Sequence, residues 1–148
     1  MRHAAHINLK KSGKDRGMEK FELLFVYCLG ALGYGGLEML WRGRTHWSML
    51  LLGGLSFLLI YLIVTQLQMQ LWKKWLLSAV CVTVLEFFCG CLVNLRLGWN
   101  VWDYSTLPGN LLGQICPQFF ALWLLLCIPC SGLAWLIRHY IFSASAQV

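Results

Sequence analysis

Four long apolar runs separated by short polar breaks organise this chain of 148 residues. They cover 21–41, 47–66, 75–95 and 117–142. Each is close to the ~20 residues that a helix needs to cross a hydrocarbon core of about 30 Å. The pattern predicts an all-α membrane protein: a membrane domain over 21–142 with four transmembrane helices. A polar segment, 67–74, links the second and third, and an aromatic-rich loop links the third and fourth. Residues 1–20 form a basic tail expected to be disordered, and 143–148 a short C-terminal tail. The composition changes abruptly at Met18, where MEKFELLF reads as a membrane-protein start, so Met18 is the expected initiator. The first run is too long for a cleavable signal and lacks a small-residue cleavage site after it.

Composition agrees with the pattern. The chain is 59% hydrophobic and 12% charged, against about 25% charged in soluble domains. A soluble fold of this size could not bury so much apolar surface. The formal charge of +6 does not point to nucleic acid, because half of the twelve basic residues lie in the first twenty positions and the rest flank apolar runs. Such a distribution sets topology. Counted on alternate sides, nine basic residues stand with the termini, Lys73 and Lys74, against three (Arg42, Arg44 and Arg96) on the other side. Both termini are therefore expected in the cytoplasm and the loop before the fourth helix outside. Six of the seven cysteines lie inside apolar runs and Cys116 at the edge of one, where a free thiol behaves as a small hydrophobe.

Glu86 changes the picture most. It lies near the middle of its run, where a carboxylate costs at least about 2.5 kcal/mol unless it is neutral, paired or facing a wet cavity. Helical spacing puts Thr83, Glu86, Gly90 and Asn94 on one face. That stripe is either a proton or substrate path or a set of interhelical hydrogen bonds. Glu38 precedes Arg42 by four residues, the favourable spacing for a helical ion pair; turned inward with Glu86, it would mark one pathway. Leu37-Glu38 and Leu85-Glu86 each open an apolar stretch, one ending in Arg42-Gly43 and the other in Arg96-Leu97-Gly98, a faint echo of two related helical hairpins.

The outer segment, WNVWDYSTLPGNLLGQIC at 99–116, gathers Trp102, Asp103, Tyr104, Ser105, Asn110 and Gln114 around a Pro-Gly-Asn turn. Rings of this kind sit at membrane interfaces whatever a protein does, and Asp and Ser side chains turn the backbone. The same set also fits a small polar site at a membrane surface. Leu111 to Ile115 reads as a short interfacial or re-entrant piece. Cys127-Ile-Pro-Cys130 has the spacing of a redox pair, but it lies deep in its run and no partner cysteine precedes Cys116 in the loop. No metal site, cofactor motif or catalytic set is evident, and no Walker-type Gly-Lys-Ser/Thr motif occurs.

On Trp102-Asp103-Tyr104-Ser105, Pro108, Asn110, Gly113, Ile115, Cys116 and Trp123, with Glu38, Glu86 and Arg42-Gly43, the chain resembles the putative ABC-transporter type IV family of small bacterial membrane proteins, also called CmpB-type permeases. The likeness runs from Phe21 to about Arg138. It departs after Arg42-Gly43, where longer members carry a Gly-Pro and Pro-x-Tyr-Gly segment and this chain reads RGRTHWSMLLLGG. The resemblance implies a permease component in the bacterial cytoplasmic membrane. Lacking a nucleotide motif, such a chain needs a separate ATPase subunit or proton coupling through Glu86, with a partner membrane subunit or copies of itself in a homo-oligomer. The lipid bilayer is the partner common to every reading. The alternatives are a non-transport scaffold or regulatory subunit, and a membrane thiol oxidoreductase using Cys127 and Cys130.

Overall fold

The structure is a computed structural model that describes the backbone over residues 2–142 and side chains over 19–142. The expected disorder of the N-terminal tail, the Met18 start and the tail at 143–148 lie outside the residues described in full. Among the described residues there are four helices, all long and apolar enough to cross a membrane, and no strand. They are α1 (Arg2–Arg42, with Glu19–Arg42 as its apolar part), α2 (Trp47–Gln66), α3 (Leu71–Gly90) and α4 (Pro117–Leu136). The last two continue as π-helical turns, Cys91–Arg96 and Ile137–Phe142.

α3 begins at Leu71, earlier than the apolar pattern predicts, so only Leu67–Gln70 joins it to α2. Local bonds explain the early start. The Trp72 indole donates to Gln70 Oε1 at 2.9 Å, and the Lys74 ammonium reaches back to the Val64 carbonyl at 2.7 Å. That bond satisfies one of the orphan acceptors at the α2 C-terminus. Lys73 and Lys74 thus belong to the first turn of α3.

α2 is the hub, touching α1, α3 and α4. Its contact with α1 depends on missing side chains. A Cβ on Gly53 would lie 2.3 Å from Tyr34 Cβ, and one on Gly30 would lie 2.4 Å from Phe57 Cβ. Small residues let helix backbones approach closely, which is how packing drives association inside a bilayer. The core runs through the bundle in three layers. Met49, Leu52, Val93 and Trp102 lie at the loop end; Ile60, Ala79, Val82, Trp123 and Cys127 lie in the middle; Val26, Phe57, Tyr61, Ala134 and Ile137 lie at the opposite end. The outer faces carry exposed Leu32, Leu40, Trp41, Phe88 and Leu125, as helices surrounded by lipid do.

At the end away from the loop, a polar cluster joins three helices. Arg138 donates to both oxygens of Glu22 at 2.7 and 2.8 Å, and the Tyr61 hydroxyl donates to the same carboxylate. Phe142 packs edge-on against Phe21 and Phe25 beside it. α1 and α4 are fastened here.

Candidate functional site

The loop between α3 and α4 folds back against the polar stripe of α3. Glu86, Gly90 and Asn94 all meet it, as their shared face implies. A Cβ on Gly90 would lie 2.5 Å from Gln114 Oε1 and 3.0 Å from Trp102 Cζ2, so the absence of a side chain makes the seat for the loop. Asn94 donates to Gln114 Oε1 at 2.8 Å and accepts from the Val101 N–H at 2.7 Å. The Trp102 indole donates to the Gln114 carbonyl at 3.0 Å. Trp102 and Gln114 are each only 3% exposed. Thr83, on the same face, adds no hydrogen bond: its buried hydroxyl has no partner among the described residues.

The rest of the loop is held by its own polar groups. Asp103 accepts from the Ser105 N–H at 2.8 Å and the Ser105 hydroxyl at 3.0 Å, a self-closing Asx turn. Asn110 donates to the Ser105 and Leu107 carbonyls and accepts from the Gly113 N–H. Leu111 and Ile115 pair across a tight turn in which Leu112 and Gly113 both take positive φ, 53° and 69°. A side chain on Gly113 would also meet Asp103 Oδ1 at 2.8 Å. Trp99, Trp47 and His46 cluster at the rim with ring centroids 5.3–5.5 Å apart.

Tyr104 is the loop residue that reaches inward. Its hydroxyl lies 3.1 Å from Glu86 Oε1, and its ring stacks on Phe119 at 4.2 Å. Burial first, and the Glu86 carboxylate beside it, raise this phenol above the ordinary tyrosine range, so it stays protonated and able to donate. The Trp123 indole donates to Glu86 Oε2 at 2.9 Å and stacks on Tyr34 at 5.7 Å. Glu86 is 2% exposed. It lies ten residues from the end of its helix at Arg96, roughly 15 Å in at ~1.5 Å per residue. Among the described residues no basic side chain pairs with it; both donors are neutral.

Above Glu86 lies a cavity of about 440 Å³ bounded by α1, α3, α4 and the loop. Glu38 and Glu86 both line it, with Arg42, Asp103 and the rings of Tyr34, Trp41, Trp102, Tyr104, Phe119 and Trp123. The expected Glu38–Arg42 pair is formed at 3.1 Å, and Thr45 adds a bond to Glu38 at 2.8 Å. Arg42 also donates to the Val101 carbonyl at 2.8 Å, fastening the loop to α1. The two glutamates thus face one space. Asn94, Ser105, Asn110 and Gln114 shape the loop around that space without lining it. The sequence pattern gives no sign of Tyr34 as a wall, although its place between Gly33 and Gly35 marks it as the bulky residue of a small-residue face. Nor does it reveal the burial of Glu22.

Four membrane-spanning helices with a loop folded back onto a buried carboxylate define a small multi-pass membrane protein with a largely aromatic cavity that holds two glutamates. The chain belongs to the family described as Putative ABC-transporter type IV, whose profile matches residues 39–146. The matched stretch takes in Glu86, the whole loop and Trp123, and begins one residue after Glu38. No curated protein and no solved structure matches the chain.

Proposed function

We propose that the chain is a permease-type component of a bacterial membrane transporter, with Glu86 as the contact for substrate or coupling proton. The observation that carries this reading is a carboxylate buried deep in the bundle, without a basic partner among the described residues, on the floor of a cavity about 440 Å³ in volume. Intramembrane acids are expensive and mark substrate or ion pathways by default. Glu38, paired to Arg42, shapes the wall beside it, and the Asp103–Tyr104 segment of the loop forms the outer gate. Both termini lie in the cytoplasm in this reading. An ATPase subunit would then meet the turn around 67–74, and copies of the chain or another membrane subunit would complete the path.

The test is mild-detergent purification of tagged protein from its native host, with every co-purifying protein identified. A stoichiometric ATPase supports an ABC-type assembly docked at 67–74. Recovery of the chain with copies of itself alone argues against that assembly and favours proton coupling at Glu86. A second reading, a membrane scaffold or regulatory subunit, is favoured by the loop's polar groups, most of which bond to one another. Glu86→Gln separates the two. Normal levels of folded protein with lost transport support the permease, and loss of folded protein favours the scaffold.

A further inference from the structure

We infer that the Glu86 cavity takes a monovalent organic cation bearing apolar groups, admitted sideways from the bilayer between α1 and α4. The inference rests on the permease reading for the fate of the ligand, but the site is argued from its own chemistry. A cavity of this size falls within the roughly 300–1,000 Å³ typical of small-molecule pockets. Six aromatic rings line it, and the faces of such rings attract cations. Among the described residues the one cation on its wall, Arg42, is engaged by Glu38 and by the Val101 carbonyl. Glu86, among the described residues, has only neutral donors. A carboxylate in apolar surroundings is costly unless it takes up a proton or a counter-charge joins it. A positively charged ligand supplies that charge, whereas an anion would meet Glu86 and Asp103, with Glu38 and Arg42 already paired to each other. The apolar and aromatic lining suits an organic cation rather than a strongly hydrated inorganic one.

The lateral entrance follows from how α1 and α4 run. They are joined at the end away from the loop by Glu22–Arg138 and at mid-height by the Tyr34–Trp123 stack. Above that stack, Leu37, Leu40 and Trp41 of α1 face the cavity from one side and Leu122 of α4 from the other. These four are also exposed on the outer surface of the bundle, Leu40 at 87% and Trp41 at 86%. The cavity wall and the lipid-facing wall are thus partly the same residues. A ligand dissolved in the hydrocarbon would pass from apolar surface to aromatic cage to carboxylate without crossing water.

The experiment uses the full-length protein, purified and reconstituted, with tetraphenylphosphonium and tetraphenylborate as probes of like shape and opposite charge. The phosphonium should bind saturably and the borate should not. Glu86→Gln should weaken phosphonium binding by about thirtyfold or more, as loss of a desolvated charge partner does. Trp41→Ala, at an exposed position, should weaken it roughly two- to fivefold. Equal binding of both probes, no saturable phosphonium binding, or binding indifferent to both substitutions would overturn the inference. The two readings fail separately. A co-purifying ATPase with no phosphonium binding overturns the ligand class and leaves the permease standing. Charge-selective binding without a partner or transport supports the cation site and removes the permease.

Discussion

The Trp123 indole N–H meets Glu86 Oε2 at 2.9 Å across 37 residues of chain. The same ring lies flat against Tyr34, so one indole joins α1, α3 and α4 at the level of the buried acid. Tyr104 donates to the other carboxylate oxygen from the loop. Glu86 is therefore held by groups from two separate elements, and the loop cannot lift without taking a donor from the acid.

Trp123→Phe tests that joint, because it deletes the donor while keeping a ring against Tyr34. A buried acceptor left without its partner costs about 1–3 kcal/mol. We expect a loss of that order in detergent unfolding, with a similar loss for Tyr104→Phe. If neither variant shifts the unfolding midpoint, Glu86 is not held by these two bonds.

Gly90→Ala should destabilise although alanine is the better helix former by up to about 1 kcal/mol. The added methyl would meet Gln114 Oε1 at 2.5 Å and the Trp102 ring at 3.0 Å. Neither neighbour moves freely, since both are buried and hydrogen-bonded. Overpacking of this kind costs roughly 1–3 kcal/mol, and the loop should become more sensitive to protease. A variant as stable and as protease-resistant as the parent would mean that the loop does not rest on Gly90.

The four helices were legible because a bilayer demands long apolar runs and the chain has four of them. The stripe through Glu86, Gly90 and Asn94 was legible too, since helical period alone places it. The groups that meet that stripe were not. Trp123 and Tyr104 reach Glu86 from other elements, and no local pattern records such pairings. Glu22 reads as an ordinary acid at a helix end, yet it is buried because Arg138 comes to it from 116 residues away. The loop's polar residues announced a turn-rich segment, but which of them face the cavity depends on the seat at Gly90.

The cysteine pair offers a separate check on the redox alternative. Cys127 is fully buried among Ile60, Ala79, Val82 and Trp123, and the Ser131 hydroxyl donates to its carbonyl at 2.6 Å within the same helix. All seven cysteines, Cys127 and Cys130 among them, are free thiols. Peptide mapping without reductant should find both as thiols even after mild oxidant treatment, and Cys130→Ser should leave function unchanged. A Cys127–Cys130 disulfide in purified protein would reopen the oxidoreductase reading.

Glu22, Tyr61 and Arg138 should behave as one unit rather than as two independent bonds. The Glu22 side chain is 9% exposed and Arg138's is 49%, so solvent screens the ion pair in part. Arg138→Ala alone should therefore cost only about 1 kcal/mol, because the Tyr61 hydroxyl still donates to the carboxylate. Tyr61→Phe alone should cost a similar amount, with Arg138 still in place. Together they leave a buried carboxylate with neither donor, so the double variant should lose more than the sum of the two, by roughly 0.5–3 kcal/mol. A double-mutant cycle in detergent unfolding measures that excess directly. Simple additivity would mean that Glu22 finds water or another donor when its partners go, and that the α1–α4 junction opposite the loop is held by the Phe21, Phe25 and Phe142 packing instead.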